Sequence, residues 1–125
     1  MKRKTDYLLN KQDEEIIHLF TELDVSKNFA KTLTYISQVD ECRSSDIEQA
    51  TNLLQPQVSI AIQKLKEKGW IKKQEVKKKG KGRPVHRYQL SQPLPEILKS
   101  FEKEKIQEIE TVKKNLSELE NILLK

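Results

Sequence analysis

Cysteine, histidine, glycine and aromatic residues are all scarce in this chain of 125 residues, which has one Cys, two His, three Gly, one Trp, three Tyr and three Phe. The lone Cys42 cannot close an internal disulfide, and with His18 and His86 it is too scattered to make a repeated metal-ligand pattern. Such usage fits a reducing compartment. Cys42 stands in the run DECR, where Arg43 is balanced by Asp40 and Glu41, so nothing there favours a reactive thiolate. Gly80 and Gly82 lack the strand, loop and helix context, and the Lys-Ser/Thr pair, of a phosphate-cradling loop. His18 lies between apolar residues with no nucleophile near it, and no paired acid, base or metal set occurs. We therefore expect no enzyme, no cofactor and no metal. No run approaches the roughly 20 apolar residues of a membrane span, and the opening MKRKTDYLLN lacks the apolar core of a secretory signal. A cytoplasmic protein that does not enter a membrane is expected.

Charge is what the chain has in abundance. Lys and Arg number 24 against 19 acids, a net +5, and the excess is local. From Lys64 to Arg87 there are eleven basic residues and two acids, Glu67 and Glu75. A patch of that kind suits an anionic partner. The length allows one compact domain with an appendage.

Residues 1–10, with Lys2, Arg3 and Lys4, show little periodicity and read as a mobile basic arm. Ile16, Ile17, Leu19, Phe20 and Leu23 then recur at helical spacing, after Asp13, Glu14 and Glu15 in a first turn that favours acids. Ser26 offers a cap for a second helix whose Phe29, Leu33, Ile36 and Val39 share a face. Ser44 or Ser45 can cap a short third helix through Ala50, with Ile47 and Ala50 turned inward. Thr51 and Asn52 end it, and Asn tolerates the left-handed backbone of a tight turn. Leu53 plugs the turn, Pro56 sits in the first turn of a fourth helix, and that helix runs to about Lys68 before Gly69.

On the fourth helix Val58, Ala61, Ile62 and Leu65 gather on one side, leaving Gln57, Ser59, Ile60, Gln63 and Lys64 on the other. That outer face is rich in amides and has no acid before Glu67. Glutamine makes bidentate bonds to adenine in the major groove, and serine can bond base or phosphate. After Gly69, WIKKQEV reads as a strand, and His86, Tyr88 and Leu90 alternate with Arg87 and Gln89 in a second strand paired antiparallel with it. Between them lies the basic tip KKKGKGRP. Helix, helix, short helix, turn, helix and hairpin is the order of a winged helix-turn-helix, so the fold class is mainly α with a small β-hairpin. This domain spans 11–91.

Residues 95–125 differ in kind. Past Pro95 no Gly or Pro interrupts a long helix. Leu98, Ile109, Val112, Leu116, Leu119 and Leu123 fall on a heptad seam, broken where Glu102 and Lys105 occupy seam positions. Phe101 and Ile106 must pack off that register, with the globular domain as one surface for them. Such a helix needs a partner for its stripe. A coiled-coil homodimer through Leu98, Phe101, Ile109, Val112, Leu116, Leu119 and Leu123 is one solution, and folding back on its own domain is the other.

The run QVSIAIQKLKEKGWIKKQEVKKKGKGRPVHRYQL resembles the recognition helix and wing of winged helix-turn-helix transcriptional regulators, especially archaeal ones akin to the MarR and TrmB families. The likeness covers roughly 12–90 and rests most on Val58-Ser59, on Leu65 to Gly69, and on the G-R-P ahead of Tyr88 and Leu90. It implies a helix in the major groove and a hairpin tip on the backbone or in the minor groove of double-stranded DNA. By position it implicates Gln55, Gln57, Ser59, Ile60, Gln63 and Lys64, with Lys78, Lys79, Lys81 and Arg83 from the wing; Ser45 and Arg87 complete the expected DNA-binding set. Ile60 stands where polar residues are frequent, and it suits a thymine methyl. In contrast to many such relatives, no attached ligand-binding domain is expected, and the effector is left unassigned. The function expected is that of a sequence-specific regulator acting as a homodimer. A winged-helix protein-interaction module and an RNA-binding winged helix are the alternatives.

Overall fold

The computed structural model describes residues 7–76 and 85–125. Along the chain these form α1 (Lys11–Glu22), α2 (Lys27–Gln38), α3 (Ser44–Thr51), α4 (Gln55–Glu67), β1 (Ile71–Val76), β2 (Val85–Leu90) and α5 (Leu94–Leu123). They divide into two compact units, Met1–Gln92 and Pro93–Lys125.

Helix α1 starts at a reciprocal cap. The Asn10 side chain accepts from the Asp13 amide at 2.9 Å, and the Asp13 carboxylate accepts from the Asn10 amide at 3.0 Å. Asp13 also accepts from the Tyr7 hydroxyl and is buried. Its charge suits the helix dipole, but its main work is to tie residues 7–10 to the helix. The expected basic arm therefore gives way to anchored chain by Tyr7, and Lys2, Arg3 and Lys4 lie outside the described residues. Of the apolar residues of α1, Ile17 and Phe20 are buried while Leu19, like Leu23 at the C-cap, stays exposed. The helix stops when Asp24 turns left-handed (φ 68°), which lets the Val25 amide reach back to the Phe20 carbonyl at 3.1 Å.

Helix α2 runs through the centre of its unit. Ser26 caps it, its hydroxyl accepting from the Phe29 amide at 3.2 Å. Phe29, Leu33, Ile36 and Val39 are all buried, and so are Ala30, Thr32, Thr34 and Tyr35 on its other sides. Helices α1, α3 and α4 and strand β2 all pack on it. Neither Ser44 nor Ser45 caps α3; both lie inside it, and the N-cap is Arg43, whose amide donates to the Asp46 carboxylate at 2.9 Å. The carboxylate at the third position replaces a hydroxyl at the first. The inward residues are Ile47 and Thr51, with Ala50 only half-buried, because the helix continues one residue beyond the expected end. Asn52 takes the left-handed conformation (φ 60°, ψ 29°) and Leu53 is buried beneath the turn, both as expected.

Val58, Ala61, Ile62 and Leu65 form the buried face of α4. At its end Gly69 adopts φ 75°, the Trp70 amide donates to the Leu65 carbonyl at 3.1 Å and the Gly69 amide to that of Lys66 at 2.9 Å. This closure removes two orphan carbonyls and turns the chain directly into β1. Trp70 is buried with its ring 5.9 Å from that of Phe29, edge to face. The strands pair antiparallel from Ile71 opposite Leu90 to Val76 opposite Val85. Tyr88 and Leu90 point to the core. A feature unseen in the sequence is a third edge: Cys42 exchanges both backbone hydrogen bonds with Tyr88, at 3.0 and 2.7 Å, so the chain between α2 and α3 is stitched to β2.

Helix α5 makes up the second unit and spans 30 residues, about 45 Å. Pro95 is tolerated in its first turn, where a missing N–H leaves no bond unmade. Leu98, Ile109, Val112, Leu116, Leu119 and Leu123 are each about half-exposed or more, so the seam lies open. Phe101, expected to pack off the seam register though also counted among the dimerisation residues, is buried together with Ile97. Ile106, expected to pack away, is 51% exposed. One turn after Phe101 the Lys105 ammonium lies 5.5 Å from its ring and pairs with Glu108 at 3.1 Å.

Candidate nucleic-acid interface

The exposed surface of α4 follows from its buried one. Because four apolar residues at helical spacing face inward, Gln55, Ser59, Ile60, Gln63 and Lys64 are left exposed along the opposite side. Ile60 is 59% exposed although it is one of the most apolar residues of the helix. Neighbouring Leu54, at the N-cap, is 70% exposed and adds a second apolar contact point that sequence reasoning did not single out. Its signal was present: an unpaired Leu directly after the plug Leu53 at a turn.

Several of the polar side chains hold one another. The Gln55 amide donates to the Ser59 hydroxyl at 3.1 Å, and the Gln63 amide donates to Glu67 at 3.3 Å. Both pairs are exposed contacts between residues four apart, and water or a base edge can replace them at small cost. Gln57 differs. It is half-buried, and its Oε1 accepts from the Leu54 amide at 2.9 Å, closing the N-terminus of α4. A glutamine reads adenine with both its oxygen and its nitrogen. With the oxygen committed to the helix start, Gln57 is a cap before it is a reader.

Ser45 is exposed in the first turn of α3. On the hairpin, Arg87 is half-buried and its Nε lies 3.6 Å from Glu41, which ties the wing root to the chain before α3. His86 lies 3.4 Å from its cross-strand neighbour Glu75. Exposed Lys72 and Lys73 on β1 extend the basic surface beyond the residues assigned from sequence. Lys78, Lys79, Lys81 and Arg83, with the tip they occupy, lie outside the described residues. Cys42 is fully buried, and burial, with the carboxylates of Asp46 and Glu41 adding to it, pushes its thiol up to about 12. Burial, with Cys42 next to it, also raises Tyr88. Among the described residues no group of three or more His, Cys, Asp or Glu could hold a metal ion, and no helix is long and apolar enough to cross a membrane.

Residues 30–82 match the MarR family. No curated protein matches the chain. Among solved structures, TrmBL2, described as an archaeal chromatin protein with a novel mode of DNA binding, superposes with a TM-score of 0.60 at 16% identity over 89% of this chain and 43% of its own. The chain thus spans less than half the length of that protein. NMB1585, a MarR family regulator from Neisseria meningitidis, superposes at 0.52 with 16% identity over 89% of this chain and 87% of its own. MepR, a transcription regulator of the Staphylococcus aureus multidrug efflux pump MepA, does so at 0.50 with 20% identity over 91% and 82%. At such identities these likenesses establish the fold, and the family match covers its helix-turn-helix and the first part of the wing. The chain thus has a winged-helix fold, and its residues 30–82 are similar to the MarR family.

Proposed function

We propose that the chain binds double-stranded DNA sequence-specifically as a homodimer, with α4 in the major groove and the basic wing on the backbone or in the minor groove. The observation that carries this reading is the outer face of α4. It is exposed, free of acids until Glu67, and offers amides, a hydroxyl, a lysine and one apolar residue on a helix held rigid from behind by four buried side chains. Major-groove edges present donors, acceptors and thymine methyls, and that set of side chains matches them. The exposed lysines of β1 continue the positive surface toward the wing. Two copies joined through α5 would address half-sites about 34 Å apart, one turn of the double helix.

Salt dependence tests the reading. If each protomer neutralises roughly four phosphates, the logarithm of affinity falls against the logarithm of salt concentration with a slope of about −7. A slope shallower than about −2 on every duplex tried would rule out direct DNA binding. Competition by structured RNA at equal strength would move the assignment to RNA.

A further inference from the structure

The exposed seam of α5 carries enough pattern to decide how two copies would pair. In heptad terms Glu102, Ile109, Leu116 and Leu123 are at a, and Leu98, Lys105, Val112 and Leu119 are at d. A parallel pair sets each residue against its own copy. Glu102 would then face Glu102 and Lys105 would face Lys105, two like-charged layers inside the seam, although Glu108 and Lys113 would attract across the flank. An antiparallel pair sets a against d instead. In the register that overlaps the whole seam, Leu98 meets Leu123 of the second copy, Glu102 meets Leu119, Lys105 meets Leu116, and Ile109 meets Val112.

That arrangement contains no like-charged layer. Glu102 and Lys105 each lie against a leucine, where the long stems cover apolar surface and the charged ends reach water. On the flank, Lys99 comes opposite Glu120 of the second copy, twice by symmetry, and Ile106, which is exposed in the single chain, is covered by the Lys113 stem. Lys99 is available for this because its contact to Glu96, at 3.4 Å, is exposed and weak. Shifting the antiparallel pair by one heptad, to set Val112 against Leu116, brings Lys113 against Lys113 and leaves Glu102 and Leu98 without partners. Repulsive elements select among pairings as much as attractive ones do. We propose that α5 pairs with a second copy of this chain as an antiparallel coiled coil in the register that sets Leu98 against Leu123. The proposal rests on the homodimer reading above and adds its orientation.

Disulfide trapping in the full chain tests it. Leu98 and Leu123 are separated by about 37 Å along one helix, far beyond the roughly 7 Å between Cα atoms that a disulfide can span. The native Cys42 is buried and does not compete. The double variant Leu98→Cys with Leu123→Cys should oxidise to a covalent dimer, and mixing the two single variants should give linked pairs of one with the other. Each single variant alone should stay unlinked. Linking of Leu98→Cys alone would overturn the proposal in favour of a parallel pair, and linking in none of the samples would overturn the pairing altogether. As a second readout, Glu120→Lys should weaken dimerisation several-fold and Lys99→Glu added to it should restore most of that loss; no restoration would overturn the register. Duplex binding measured on the trapped dimer separates the two readings. A linked dimer with no affinity for DNA would remove the DNA assignment and leave the pairing standing.

Discussion

Ile60 offers the sharpest test of base reading. The residue is 59% exposed, while Val58, Ala61, Ile62 and Leu65 of the same helix are buried, so Ile60→Ala removes carbons from the surface and leaves the core intact. The expected change in folding stability is within about 0.5 kcal/mol. If Ile60 packs on a thymine methyl, that contact buries about one methyl group per half-site, worth about 0.8 kcal/mol. Replacing the contacted thymine by deoxyuridine deletes the methyl and nothing else. Affinity should fall about fourfold for one half-site and about fifteenfold for both. The assay is fluorescence anisotropy at one fixed salt concentration, with a duplex first selected from a random pool and then carrying deoxyuridine at each thymine in turn. Against Ile60→Ala the deoxyuridine effect should disappear at one position per half-site and persist elsewhere, the mark of a coupled pair in a double-mutant cycle. If Ile60→Ala and deoxyuridine act independently at every thymine, Ile60 does not touch a thymine methyl.

Gln57→Ala should lower the melting temperature by several degrees, since a capping bond to the Leu54 amide is worth about 1 kcal/mol; the sequence preference selected from a random pool should not change, and a lost adenine at unchanged stability would contradict this. Asp13→Ala removes the acceptor for both the Asn10 amide and the Tyr7 hydroxyl and should cost about 1–3 kcal/mol in urea unfolding, while an equal loss in Tyr7→Phe would place the whole effect on the hydroxyl. Burial holds the Cys42 thiol protonated in the folded chain up to about pH 12, against 9.0 when unfolded. Its contribution is therefore fully present below pH 9 and is lost as the pH rises toward 12. Wild type should lose stability between pH 8.5 and about 10.5 more steeply than Cys42→Ala, and identical slopes would refute the assignment. A thiol reagent at pH 8 should label Cys42 only as the chain unfolds.

Much of the fold was legible because it is written in local signals. Ser26 as cap, Asn52 in the left-handed turn, Leu53 beneath it and Pro56 in the first turn of α4 each obey rules that act within a few residues. Where the reading missed, a competing local bond had won. Asp46 outcompeted Ser44 and Ser45 at the start of α3, because a carboxylate accepting from the Arg43 amide is the stronger partner. Asp13 was read by its charge alone, since only the folded chain brings Tyr7 to it.

The candidate site divides in the same way. Periodicity alone was enough to sort α4 into an inner and an outer face, because the 3.6-residue repeat assigns sides before any contact is known. It could not show that Gln57 spends its oxygen on Leu54, that Arg87 meets Glu41, or that Ile106 is exposed while Phe101 is buried. The bridge from Cys42 to Tyr88, which joins residues 46 apart, belongs to the same group. Order of elements, basic patch and heptad pattern were thus determined by the sequence itself, through interactions that span one or two turns. Which polar atoms remain available to a partner was decided only by tertiary structure, because that depends on side chains made neighbours by the packing of α2 against α1, α3, α4 and β2.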